Sequence, residues 1–283
     1  MGREEQLEWE SRYGVPAALA AFASALLSVA SVVVLNATLG TYNDHADLLV
    51  SVHKHPAGSI AVAVLQSLSV VLLIPVLLYL LAATRARRPE TPPRLEPFVL
   101  FAPIVAAILG IASSILQVRA AHNYFHPLIP LPPEDAVKRA DHLIGQSPGR
   151  AIAYLGLIAT FAVGGAIGLV AINAMRAGLL SKFIGILGVI LGVLTAIPLF
   201  FGGPSIIQLF WLLALGVLFL NRWPGERGPA WESGEAIPWP SAAGLRARQQ
   251  EAQEAEPEPA KTATATATAT QPRSKKRKKK RRR

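Results

Sequence analysis

Residues 57–83, AGSIAVAVLQSLSVVLLIPVLLYLLAA, decide the fold of this chain. Across 27 residues they contain no Asp, Glu, Lys, Arg or His. A bilayer's hydrocarbon core is ~30 Å thick, and ~20 apolar residues at helical rise cross it. A stretch this long and this free of charge reads as a transmembrane helix.

Five more apolar runs flank it, at 15–35, 97–118, 151–175, 183–201 and 205–220, separated by short charged or proline-bearing breaks. The last two are short and fold back through Gly202, Gly203 and Pro204 as a hairpin. The expected class is therefore an all-α membrane protein with a six-transmembrane-helix bundle over 15–220. Composition agrees: 52% hydrophobic and 16% charged residues over 283 positions leave too little polar surface for a water-soluble globule. The absence of cysteine excludes disulfides, thiol nucleophiles, iron–sulfur clusters and cysteine-ligated zinc.

Orientation follows from Lys and Arg in the short loops, which are enriched on the cytoplasmic side. With the N-terminus inside, the inner loops 84–96 and 176–182 hold Arg85, Arg87, Arg88, Arg94, Arg176 and Lys182, six in 20 residues. The outer loops 37–56 and 119–148 hold Lys54, Arg119, Lys138 and Arg139, four in 50. Both termini are thus expected in the cytoplasm, in a multi-pass protein of the inner (plasma) membrane. The first run is too long for a signal-peptide core, and its flank 1–14 carries Glu4, Glu5, Glu8 and Glu10, so it reads as an uncleaved anchor behind a cytoplasmic N-terminal segment.

Inside the spans the pattern describes packing. Ala17, Ala21, Ala25 and the parallel row Ala20, Ser24, Ser28 recur every four residues, as do Gly164 and Gly168, and Gly188 and Gly192. Small residues at that spacing let helix backbones approach closely. Pro75, Pro103 and Pro198 are expected to kink or end their helices. No ionisable residue occupies the middle of any run, which argues against a proton-driven pump. Gln66, Asn173 and Gln208, with Gln117 nearer an end, are the large polar groups, expected in interhelical hydrogen bonds.

No zinc-binding His-Glu-x-x-His, nucleophile elbow, Walker loop or dinucleotide fingerprint occurs, so an enzyme is not expected and no cofactor is implied. All six histidines, His45, His53, His55, His122, His126 and His142, fall in the two outer loops, with Asp44 and Asp47 in the first. Imidazoles with carboxylates suit Zn, Cu or Ni if three or four converge; the alternative is surface or pH-responsive histidines. In the second outer loop, 134–144 places Ala136, Val137, Ala140, Leu143 and Ile144 at helical spacing, followed by Gly145. This predicts a short amphipathic helix lying at the interface or capping the bundle.

The stretch Gly178-Leu179-Leu180-Ser181-Lys182-Phe183-Ile184-Gly185-Ile186-Leu187-Gly188 is a basic turn leading into a glycine-punctuated run. It resembles the corresponding junction in a broad family of uncharacterised bacterial six-helix membrane proteins, a domain of unknown function. The likeness extends over about residues 16–220, with Ser181 standing where many members have proline. It implies architecture; the family has no established activity and supplies no site.

From 221 to 272 the composition turns to Pro, Gly, Glu and Ala, then to a Thr-Ala repeat, and reads as a disordered cytoplasmic linker. Trp223, Trp231 and Trp239 are expected near the headgroups. The tail 273–283 carries Arg273, Lys275, Lys276, Arg277, Lys278, Lys279, Lys280, Arg281, Arg282 and Arg283. It accounts for the whole net charge of +10, since the rest balances 18 basic against 18 acidic residues. Such a tail suits anionic lipid, or RNA and the ribosome through counterion release. Three function classes follow. The first is a non-enzymatic protein with a structural, lipid-interacting or accessory role and a basic tether, in contact with the bilayer and with membrane-protein partners or further copies of itself. The second is a small-solute or metal-related permease or sensor using the outer histidines. A membrane-embedded enzyme is least favoured.

Overall fold

The computed structural model describes residues 2–40, 42, 44–88, 91, 95–126, 135–146, 148–196, 206–224, 227–237 and 239. They belong to one compact unit, Met1–Trp239. The later part of the linker and all ten basic tail residues lie outside the described residues, as does Pro198.

Among the described residues the regular structure is entirely helical. Four helices are long and apolar enough to cross a membrane: Arg3–Thr38, Pro56–Arg87, Leu95–Phe125 and Gly149–Arg176. Lys182–Ala196 and Ile206–Phe219 are shorter apolar helices. In chain order the elements are α1 (Arg3–Thr38), α2 (His45–Lys54), α3 (Pro56–Val71), α4 (Leu73–Arg87), α5 (Leu95–Phe125), α6 (Ala136–Ile144), α7 (Gly149–Arg176), α8 (Lys182–Ala196), α9 (Ile206–Phe219) and α10 (Pro229–Ser233). Leu26 is 71% exposed and Ile158 64%, and both sit on faces rich in other exposed aliphatic side chains, surfaces that hydrocarbon suits and water does not.

Pro75 explains the division of the second long helix into α3 and α4. It offers no N–H to the Val71 carbonyl and its ring crowds that carbonyl, and the helix breaks at Leu72. Three residues before the break α1 is bonded to α3 reciprocally: the Ser24 hydroxyl donates to the Ser69 carbonyl at 2.9 Å, and the Ser69 hydroxyl donates back to the Ser24 carbonyl at 2.9 Å. Ser28 joins the same hub, 2.7 Å from the Ser69 hydroxyl. Pro103, by contrast, is carried inside an unbroken α5.

The small-residue rows do pack helix on helix within the chain. Ala17, Ala20, Ala21, Ser24, Ala25 and Ser28 are all buried. Between α7 and α8 the approach is backbone to backbone: a Cβ on Gly192 would lie 2.5 Å from the Gly164 carbonyl oxygen and 2.8 Å from the Gly168 nitrogen. The polar residues divide. Gln66 accepts from Ser31 at 3.0 Å and Gln208 reaches Ser28 at 3.5 Å, both between helices, whereas Asn173 donates to the Leu169 carbonyl of its own helix.

Three features differ from expectation. The acidic flank 1–14 is no separate segment; α1 begins at Arg3 and buries Gln6, Glu10 and Gly14 on the face that continues into Ala17 and Ala21. The first loop contains a helix, α2, opened by Asp44, whose carboxylate accepts from the Asp47 N–H at 2.8 Å. The linker does not begin at 221: residues 227–231 are buried or half-buried, and Trp231 is only 3% exposed in the main core instead of lying among headgroups. The expected helix in the second loop is present as α6, with Ala140 buried.

Candidate functional site

α3 packs against both α1 and α5, and the space beside it is an open groove of about 300 Å³. Leu35 and Leu39 of α1 form one wall and the α5 residues Ala106 to Gln117 the other, while Tyr42 and Leu48 close the end next to α2. From Ser59 to Val70 the groove follows α3 for twelve residues, about 16 Å at helical rise, or about half a hydrocarbon core.

The lining combines aliphatic surface with uncharged polar groups. Some of these are already committed: Ser59 and Ser114 share a hydrogen bond of 3.1 Å, and Ser67 donates to the Ala107 carbonyl at 3.0 Å. Gln66 uses its carbonyl oxygen for Ser31, leaving its amide N–H groups, with Ser113 and Gln117, along the groove wall. Among the described residues the groove lining contains no carboxylate, imidazole or cation. Its chemistry is donation and acceptance of hydrogen bonds within an apolar slot.

Above this groove lies a cap made by α2 and α6, with Leu48, Leu49, Val52, Ala120, Ala121 and Ala140 as its small core. The six histidines are at this end, all exposed, and they divide into separate associations. His45 Nδ1 is 2.7 Å from the Asp141 carboxylate, tying α2 to α6. His53 stacks on Phe125 at 4.2 Å between ring centroids and meets His126 edge-on at 6.1 Å. His122 and His126 lie 4.6 Å apart, the i, i+4 neighbours that their spacing implies. His142 contacts Gln146 at 3.0 Å, and His55 sits at the α2–α3 junction. Among the described residues no three His, Asp or Glu side chains are placed to hold a metal ion.

The opposite end carries a constellation that sequence reasoning missed. Arg87, at the end of α4, directs both Nη atoms to the Glu10 carboxylate, the second at 3.0 Å, and both side chains are buried. Arg87 Nε donates to the Ala230 carbonyl at 2.8 Å and Nη1 to Ala83 at 2.9 Å; Gln6 donates to Glu10 at 3.0 Å. Trp231 of α10 donates its indole N–H to the Leu179 carbonyl at 2.8 Å, and the guanidinium of Arg227 lies 4.5 Å from its ring centroid. Arg227 in turn donates to the carbonyls of Leu218 and Phe219 at 2.9 Å each, capping α9. Gly178, at φ +77°, admits this segment: the Ile237 carbonyl occupies the position a side chain would need. This latch joins α1, α4, the α7–α8 turn and α9. Its sequence signal was the continuation of the small-residue stripe of α1 backwards through Gly14 to Glu10 and Gln6.

No family model, curated protein or solved structure matches the chain, so the site is read from its own geometry.

Proposed function

We propose that this chain is a non-enzymatic, lipid-interacting accessory protein of the plasma membrane, with six spans and both termini in the cytoplasm. The groove beside α3 carries the reading. It runs along the helices for about the depth of one leaflet, and its lining offers neutral hydrogen bonding without acid, base or charge. A slot of that character accepts part of an amphiphile more readily than it performs bond-making chemistry. The loop-charge bias favours the cap outside and the latch inside, and the six-span count requires α8 and α9 to reach across with the help of residues 197–205, which lie outside the described residues. The basic tail then lies in the cytoplasm, where anionic lipid headgroups and RNA or the ribosome are its partners in this proposal.

A second reading, a small-solute permease or sensor, is favoured by one observation: the histidine-bearing cap, with its exposed His45–Asp141 pair, stands at the groove's end.

A chain without cysteine allows a direct test. Single cysteines at His55 and Gln146 are expected to react with an impermeant maleimide on intact cells, and those at Ser11 and Glu235 only after permeabilisation. Labelling of all four from one side overturns the topology. A photoactivatable monoacylglycerol is expected to mark peptides containing Gln66 and Gln117 saturably; non-saturable labelling, or flux of a small solute without it, favours the second reading.

A further inference from the structure

At the latch end, a second cavity of about 320 Å³ lies between the first half of α1, the start of α5 and α4 from Pro75 to Arg85. Its polarity is graded. One part is walled by Pro16, Pro75 and Leu78, while the other ends at Arg85 and Glu96. Pro75 and Arg85 are ten residues apart on α4, about 15 Å at helical rise, so a bilayer placed on the apolar faces puts one part in hydrocarbon and the other at the headgroups.

Three aromatic rings line the cavity, and one of them, Tyr13, has the Arg12 guanidinium 5.8 Å from its centroid. Trp9 lies 5.2 Å from Tyr13 and 5.6 Å from Tyr79 between centroids. Beside them Arg85 Nη1 donates to Glu96 Oε2 at 2.6 Å, with side chains 27% and 58% exposed. The cavity therefore presents the Arg85–Glu96 ion pair and the half-buried ring of Trp9, whose face attracts cations, above an apolar slot.

We propose that this cavity binds the zwitterionic headgroup of a phosphoammonium lipid. The lipid phosphate takes the Arg85 guanidinium, the ammonium takes Glu96 and the face of Trp9, and an acyl chain follows Leu78 and Pro75. A zwitterion satisfies both members of the Arg85–Glu96 pair at once. An anionic headgroup meets Glu96 with like charge, and a cationic amphiphile meets Arg85. The inference rests on the membrane reading above and adds the chemical class of lipid at a site separate from the groove.

The test uses the full-length chain reconstituted into vesicles, floated, extracted and examined by native mass spectrometry. The vesicles contain equal phosphatidylethanolamine and phosphatidylglycerol with matched acyl chains. Retention of the zwitterionic lipid is expected to exceed that of the anionic one by about tenfold, within the range of cation–π and charge contributions at a desolvated site. Glu96→Gln, a change at an exposed position, is expected to invert the preference, because the carboxylate that takes the ammonium and repels an anionic headgroup is gone. Trp9→Leu is expected to weaken zwitterionic retention without raising anionic retention. Equal retention by the wild-type chain, or a preference that neither variant moves, overturns the proposal while leaving the membrane reading intact. A chain that fails to float with the vesicles overturns both.

Discussion

The two ends of the bundle handle polar chemistry in opposite ways. At the latch end, Glu10 and Arg87 are withdrawn from solvent and each guanidinium nitrogen of Arg87 has an acceptor in Glu10, Ala83 or Ala230. At the cap end, His45 and Asp141 form a pair with both partners more than half exposed, His53, His126 and His122 follow one another as exposed ring contacts, and His142 meets Gln146. Burial raises the consequence of losing a partner, since an unpaired charge away from water has no alternative, whereas an exposed one is rehydrated. The latch is thus the end where stability is concentrated, and the cap is the end where opening costs little.

The sharpest way to break this contrast is Arg87→Met. It leaves Glu10 buried without its cation and is expected to cost about 3–5 kcal/mol. The loss is read as a fall in unfolding free energy in detergent micelles, and the double change Glu10→Leu with Arg87→Met should recover most of it. Trp231→Ala removes the ring that α10 inserts beneath the helix ends, with an expected cost of about 3–5 kcal/mol. A chain ending at Arg222 should unfold at least as easily as that variant; a truncation with wild-type stability shows that the latch contributes nothing. Ser69→Ala, midway between the ends, removes the hub shared by Ser24 and Ser28 and should cost about 1–3 kcal/mol. Its effect should appear as faster cleavage near Leu72 in limited proteolysis of the micelle-bound protein. The smallest effect belongs to the cap: His45→Ala or Asp141→Asn should change stability by about 0–1 kcal/mol, with hydrogen exchange rising in α2 and α6 alone. Equal losses for Arg87→Met and His45→Ala remove the distinction between the ends.

Much of the helical framework was legible because membrane helices are specified locally. The charge-free run around Gln66, the four-residue spacing of Ala17, Ala21 and Ala25, and the glycines of α7 and α8 each announce a helix or a close contact without reference to a partner. α6 was legible for the same reason, through its apolar spacing and the glycine that follows it. α2 was passed over although Asp44 and the spacing of Leu48, Leu49 and Val52 mark it, because ten residues between two long spans read first as loop. The candidate groove was only half visible: Gln66 and Gln117 stood out, but Ser59, Ser67, Ser113 and Ser114 are ordinary residues until α3 and α5 run side by side.

The sequence by itself determined that this chain is built from long apolar helices, because the solvent's demand for internally satisfied backbone acts on each segment separately. Only the tertiary structure decided that, of Glu4, Glu5, Glu8 and Glu10, it is Glu10 that faces Arg87, and that Ala230 and Trp231 close over the pair. Those partners stand 77 and 143 residues from Arg87 or Glu10 along the chain. Composition and periodicity carry no information across such separations; the packing of α1, α4, α9 and α10 does.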